Sequence, residues 1–296
     1  MTIAACHLSP EGVVLGADSA TTLQSVDGKA PCHFDYAQKM FEVGKPGSTV
    51  GLVTWGLGQI GDVSHRTFAA RVAGVHDSTP FESMESMANR LGQELWAEYS
   101  TAYGTAIEQV RDTHEELEAK SARGELTNDD VTTLRESINR LSGGYCLAGR
   151  VRDAMPCEAW QLLWGPLQDA TAITRMPAET PLFWGVPHIM ERLIFGFDQD
   201  TLIGVLASGK WTGSDDELVD LVTRRQLIQP SNLPIREAID WIHTVIHTTI
   251  RGTKFAKWPH WCGGPVEIAV ITTDRPFRWV RHKRLDAAII TEEEAR

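Results

Sequence analysis

The chain has 296 residues, 42% of them hydrophobic and 23% charged, which is ordinary for a globular protein with a sizeable core. Its net charge of −11 disfavours nucleic acid or an anionic membrane as a partner, and no run approaches the roughly 18 apolar residues of a membrane helix. The five cysteines lack CxxC spacing and no signal-peptide pattern opens the chain. We therefore expect one domain over residues 1–296, with free thiols, in the cytoplasm.

The first two predicted strands bring the start of the chain next to an aspartate. Residues 2–7 resemble a short strand, and a turn at residues 9–12 leads into a second strand over residues 12–17. Because the two strands run antiparallel, the end of the second returns to the start of the first. Asp18 is therefore expected beside Thr2.

A helical hairpin is predicted over residues 79–142. Thr79 and Glu82 form a capping-box pattern, and apolar residues then recur every three or four positions. A second helix is expected to begin at Thr127 with Asp130. Its predicted apolar face comprises Val131, Leu134, Ile138 and Leu141. The hairpin either projects towards a neighbouring subunit or covers a sheet, and the sequence leaves both arrangements open.

Strands and helices alternate in the remainder of the chain. Strands are predicted at about 144–150, 157–164, 170–175, 265–272 and 277–282. Helices are predicted near 187–195, 214–228 and 234–252. This order of elements suits an α+β fold, a four-layer αββα sandwich with two antiparallel sheets and an extended helical hairpin.

Thr2 is the first candidate for a nucleophile. Removal of Met1 by an aminopeptidase would leave Thr2 with a free α-amine next to its own hydroxyl. An α-amine has an unperturbed pKa of about 7.7–8.0, so it can act as the base for that hydroxyl. A Met-Thr start alone is a weak signal, and the carboxylate of Asp18, expected close to Thr2, makes it more specific.

Several segments resemble the proteasome β-subunit and HslV family of N-terminal-nucleophile (Ntn) hydrolases, and among them the bacterial Anbu and BPH groups most. Besides Thr2, these segments are residues 12–19, with the pattern Gly-Val-x-x-x-x-Asp-Ser, residues 38–43, residues 53–58 and, more weakly, residues 144–149 and 263–268. The resemblance implies an Ntn-hydrolase fold for the whole chain and gives each matching position a role.

Four residues would carry the catalysis that the resemblance implies. Thr2 would be the nucleophile. The positive charge of Lys39 would make the hydroxyl and the α-amine of Thr2 easier to deprotonate. Asp18 would hold Lys39 through a charge-assisted hydrogen bond, and Gly56 would offer its backbone N–H to the oxyanion. No cofactor or metal is expected.

The implied activity is that of a threonine peptidase acting on unfolded polypeptide inside a homo-oligomeric ring or related assembly, with an unfoldase partner left open. The sequence departs from the family, because residues 183–188 lack its Ser and residues 258–262 lack its Asp and Ser. His188 or His260 could replace them as proton carrier. The alternatives are a catalytically silent assembly or binding subunit on the same fold, and a transpeptidase that passes the acyl group to an amine.

Three other motifs are weighed and set aside. His243 and His247 lie four residues apart on a predicted helix, but no third metal ligand is evident. Residues 56–61 match Gly-x-Gly-x-x-Gly, although the surrounding chain has the pattern of antiparallel strands rather than a βαβ unit. The basic run at residues 278–284 is interpreted as a subunit contact or solvated strand.

Overall fold

The first sheet contains the start of the chain. The computed structural model describes residues 2–23, 32–152, 155–178, 182–224, 232–256 and 262–283. Within these residues, five strands form this sheet: β1 (Ile3–Ser9), β2 (Gly12–Ala17), β10 (Leu182–Gly185), β11 (Glu267–Thr272) and β12 (Arg278–Arg281). Their spatial order is β10-β1-β2-β11-β12, and every neighbouring pair is antiparallel.

The second sheet is also antiparallel throughout. Its strands, in spatial order, are β5 (Met40–Glu42), β6 (Val50–Gly56), β7 (Gly143–Gly149), β8 (Glu158–Trp164) and β9 (Ala172–Arg175). A short separate hairpin pairs β3 (Thr21–Leu23) with β4 (Cys32–Phe34). The predicted antiparallel pairing and the α+β class are confirmed.

Seven helices are described. They are α1 (His65–Ser78), α2 (Met84–Ala122), α3 (Asn128–Leu141), α4 (His188–Phe195), α5 (Gln199–Ala207), α6 (Asp215–Thr223) and α7 (Ile235–Thr253). None of the helices in the described residues is long and apolar enough to cross a bilayer.

Three apolar clusters define how the sheets and helices stack. Alternate residues of a strand point to opposite faces, so Ala4 and Cys6 of β1 join a cluster between the two sheets. Ile3 and Ala5 instead face a cluster with α4 and α7. The outer face of the second sheet packs against α1 and the first part of α2. The two sheets therefore lie against each other, with helices outside both.

The predicted start of the hairpin at Thr79 is wrong. Thr79 caps the C-terminus of α1, and α2 begins only after Ser83, whose hydroxyl accepts a hydrogen bond from Ser86 N at 3.1 Å. Pro80 explains the break, because a proline disfavours helical backbone in the residue before it. The sequence prediction missed α1 altogether.

The second helix of the hairpin begins as expected but packs differently. The side chain of Thr127 accepts from Asp130 N in a capping box, which confirms the predicted start of this helix. The predicted apolar face is not buried, however, since α3 has no buried residue and Val131 is 47% exposed. The first part of α2 covers the second sheet, while on α3 Val131 is exposed and Leu134, Ile138 and Leu141 are only half-buried.

Candidate functional site

The β1–β2 hairpin fixes Asp18 against the residue that follows Thr2. The backbone N–H of Asp18 donates to the carbonyl of Ile3 at 3.1 Å, and the N–H of Ile3 donates to Asp18 Oδ1 at 3.1 Å. Both residues are fully buried. The start of β1 is therefore held by a carboxylate as well as by the strand ladder.

The same carboxylate oxygen binds the predicted lysine. Lys39 Nζ lies 2.7 Å from Asp18 Oδ1, and the side chains are 6% and 0% exposed. The carbonyl of Lys39 accepts from Thr54 N at 2.9 Å, which ties the lysine to β6. Asp18 Oδ1 thus links the backbone next to Thr2 with an ammonium group.

The other carboxylate oxygen of Asp18 is satisfied by backbone donors. Asp18 Oδ2 accepts from Ala20 N at 3.3 Å and from Gly263 N at 3.0 Å. With Lys39 and Ile3, the carboxylate has four donors, as a buried charge requires. The sequence resemblance included Gly263 only in a weak match and gave it no role in holding Asp18.

Gly56 ends β6 in a conformation that a side chain would disturb. Its φ is +82°, and an added Cβ would lie 2.5 Å from Ser142 O. Thr54 N donates to Lys39 O and Leu57 N donates to Ser142 O. Because successive residues of a strand direct their N–H groups to opposite edges, the N–H of Gly56 is turned to the edge that carries Lys39.

Two stacked tryptophans join the strand ends that carry Thr2 and Gly56. Trp55 precedes Gly56, and Trp184 is paired with Ala4 in β1. Their rings stack with centroids 4.5 Å apart and 5° between the planes. This contact between the two sheets clamps the end of β6 to the start of β1.

The backbone of Thr2 is closely covered by β10. Gly185 has a φ of +91°, and a Cβ there would lie 1.8 Å from the carbonyl oxygen of Thr2. Only glycine fits this approach. Thr2 itself is 5% exposed. His188 is the first residue of α4, and His260 lies outside the described residues.

A buried histidine and a tyrosine hold the segment after Gly56. His65 Nε2 lies 2.7 Å from Leu57 O, and His65 Nδ1 lies 2.7 Å from Tyr145 Oη. A carbonyl can only accept, so Nε2 carries the proton and Nδ1 accepts from the tyrosine hydroxyl. Burial lowers the pKa of His65 to about 4 and raises that of Tyr145, which keeps both groups neutral.

A second lysine, absent from the predicted site, locks the residue after Asp18. Lys283 Nζ donates to Glu267 Oε2 at 2.8 Å, to Ala37 O at 2.8 Å and to Ser19 Oγ at 3.3 Å. Burial lowers its pKa, and Glu267 opposes that shift. Ser19 Oγ in turn donates to Pro265 O at 2.7 Å. The only sequence feature that pointed to Lys283 was the basic run at residues 278–284, which contains it.

Cys262 is also buried close to this charge cluster. Burial, and then the negative charge of Asp18, raise the pKa of its thiol to about 12. A thiol that stays protonated is a poor nucleophile. Cys262 is therefore a poor candidate for a nucleophile in this site.

Two of the motifs set aside show no metal-binding or dinucleotide-binding geometry in the described residues. The rings of His243 and His247 stack with centroids 5.5 Å apart, and no described group of three His, Cys, Asp or Glu side chains could hold a metal. Residues 56–61 follow β6, whose described neighbours are both antiparallel, unlike a dinucleotide-binding βαβ unit.

Comparison with known proteins gives a structural match only. No family model matches the chain, and no curated protein matches it. Among solved structures, an Anbu (Gly-1) mutant from Hyphomicrobium sp. strain MC1 is similar, with a TM-score of 0.48 and 13% sequence identity. The match covers 97% of this chain and 88% of that one.

Proposed function

We propose that the chain is a proteasome-like threonine peptidase, built as one Ntn-hydrolase domain over residues 1–296. The observation that carries the proposal is the double role of Asp18 Oδ1, which binds the amide after Thr2 at 3.1 Å and the ammonium of Lys39 at 2.7 Å. A weak hydroxyl nucleophile needs a cation beside it, and a buried cation needs a carboxylate. Asp18 and Lys39 form such a pair at Ile3, the residue after Thr2, and this contact supports the proposal.

The proposed reaction begins with removal of Met1. The free α-amine of Thr2 takes the hydroxyl proton as Oγ attacks a peptide carbonyl, and the Gly56 N–H donates to the resulting oxyanion. The proton then passes to the leaving amine, the C–N bond breaks, and an ester on Thr2 remains. Water activated by the same amine hydrolyses that ester. Lys39 favours the deprotonated amine through its charge.

Burial of Thr2 is part of the proposal. Thr2 is 5% exposed, so the proposed reaction requires the start of the chain to open before a substrate can reach the hydroxyl. The N–H of Gly56 is turned to the Lys39 edge of β6, which supports its proposed role as the oxyanion donor. The clamp between Trp55 and Trp184 supports this arrangement, because it joins the two sheets at that point.

Exposed apolar side chains support assembly into a homo-oligomer. Four such residues lie on α3, α4, α5 and α6 and are each about half exposed: Val131, Leu193, Ile203 and Leu221. Contacts between copies would remove this surface from water. A ring or related closed assembly would confine the site, make unfolded polypeptide the substrate and leave room for an unfoldase partner in the cytoplasm.

The test of the proposal compares Thr2→Ala with Thr2→Ser on a panel of fluorogenic peptides. Thr2→Ala should abolish turnover while the circular dichroism spectrum and melting temperature stay unchanged. Thr2→Ser keeps a hydroxyl on the same atom and should retain measurable turnover. Unchanged turnover in Thr2→Ala would overturn the assignment of the nucleophile.

A catalytically silent assembly subunit is the second candidate. The sequence lacks the family's Ser and Asp near residues 183–188 and 258–262, and Thr2 is almost fully covered. Retention of Met1 in the purified protein would favour this candidate. A transpeptidase would share the acyl-enzyme, and product analysis with an added peptide amine distinguishes it from a hydrolase.

A further inference from the structure

A cationic cavity lies on the outer side of the segment that holds Asp18. Its volume is about 470 Å³, within the range of small-molecule sites. One wall is α7, which contributes Arg251 and is followed directly by Lys254, and β12 contributes Arg281. Asp35 is the one carboxylate among the described lining residues. Three fixed positive charges thus gather in a protein whose net charge is −11.

Two histidines hold the arginines of this cavity in place. An Arg281 guanidinium N–H donates to His243 Nε2 at 2.9 Å, and Arg251 Nε donates to His247 Nε2 at 3.3 Å. Burial, and then the charge of Arg281, lower the pKa of His243, which suits its role as an acceptor. Each guanidinium has five N–H donors and uses one here, so the remaining donors are available to a ligand.

We propose that this cavity binds a small phosphorylated anion between Arg251 and Arg281. Arginine recognises phosphate through paired, charge-assisted hydrogen bonds, and fixing the guanidinium beforehand reduces the ordering cost of binding. The volume of about 470 Å³ leaves room for further atoms beyond a phosphate group. This inference does not depend on the proposed peptidase activity.

The opposite wall of the cavity connects it to the candidate active site. Residues 263–265 line the cavity, and from the same segment Gly263 N donates to Asp18 Oδ2 while Pro265 O accepts from Ser19 Oγ. An anion drawn against this segment would contact the loop that fixes Asp18. The cavity therefore shares a wall with the segment that holds Asp18.

Isothermal titration calorimetry of the full chain with pyrophosphate tests the inference, with inorganic phosphate and citrate as comparison arms at matched ionic strength. Pyrophosphate should bind saturably at one site per chain, more tightly than inorganic phosphate. Arg251→Gln and Arg281→Gln should each weaken binding at least about tenfold, because each removes a charged donor pair. Both residues are exposed in the uncomplexed chain, so the variants should fold normally.

Arg236→Gln is the matched control. Arg236 is an exposed arginine on the same helix, about 22 Å along its axis from Arg251 at the helical rise per residue. Its variant should bind pyrophosphate like the parent chain. Absence of saturable binding, tighter binding of citrate than of pyrophosphate, or an equal loss in Arg236→Gln would each overturn the proposal.

Discussion

Replacing Lys39 by methionine should leave the buried carboxylate of Asp18 without its counter-ion. The two side chains are 6% and 0% exposed, so water cannot replace the ammonium group. Breaking a buried ion pair by removing one partner costs about 3–5 kcal/mol. Three backbone donors, from Ile3, Ala20 and Gly263, still reach the carboxylate. We therefore expect the lower end, about 3 kcal/mol.

The magnitude converts into a measurable shift in melting temperature. At about 2.1 cal/mol/K per residue, unfolding of 296 residues carries an entropy of about 0.6 kcal/mol/K. A loss of about 3 kcal/mol then lowers the melting temperature by about 5 °C. Urea titration with an unchanged m-value would measure the free energy directly.

The surface pair of Arg135 and Asp200 provides the control for Lys39→Met. Its side chains are 61% and 46% exposed, so Arg135→Met should cost less than about 1 kcal/mol. The double variant Asp18→Asn/Lys39→Met should be at least about 1 kcal/mol more stable than the sum of its single variants predicts. An equal loss of unfolding free energy in Lys39→Met and Arg135→Met would show that burial does not set the strength of the Asp18–Lys39 ion pair.

Three further predictions follow from individual contacts. The pKa of His65 is about 4 in the folded chain and about 6.5 in the unfolded chain. Lowering the pH from 7 to 4 should therefore remove about 3 kcal/mol from the free energy of unfolding, as measured by urea titration at the two pH values. An identical pH dependence in His65→Asn would contradict this prediction. In the same assay Gly185→Ala should lower the free energy of unfolding by about 3 kcal/mol, because the added Cβ meets the Thr2 carbonyl. Gly47 also has a positive φ, +90°, but open space around it, so Gly47→Ala should lower the free energy of unfolding by only about 1 kcal/mol. Gly56→Ala keeps the backbone N–H but adds a Cβ that would lie 2.5 Å from Ser142 O, so the displaced strand end should slow adduct formation between Thr2 and a peptide epoxyketone about a hundredfold per folded molecule. An unchanged rate would show that the reaction does not depend on the position of this strand end.

Local patterns in the sequence were sufficient for much of the fold. The turn at residues 9–12 fixes the antiparallel register of β1 and β2, and this register alone brings Asp18 to Ile3. The capping box of Thr127 is equally local. The missed helix α1 also had a signal, since Ser64 caps it and its buried residues have helical spacing, namely His65, Phe68, Ala69 and Val72.

The parts that sequence reasoning missed depend on contacts between distant segments. Gly263 reaches Asp18 across 245 positions, and Lys283 reaches Ser19 across 264. No periodicity or spacing encodes which distant backbone N–H will satisfy a buried carboxylate. The packing of the apolar face of α3 was left open by the sequence for a related reason, because an amphipathic pattern shows that a face is apolar but not what covers it.

The central claim is that Thr2 becomes an N-terminal nucleophile, and intact mass spectrometry tests it most directly. The purified protein would be weighed before and after exposure to a peptide epoxyketone, which reacts only where a free α-amine and a hydroxyl share one residue. We expect loss of Met1 and one stoichiometric adduct that maps to Thr2. A chain that keeps Met1 and forms no adduct would contradict it.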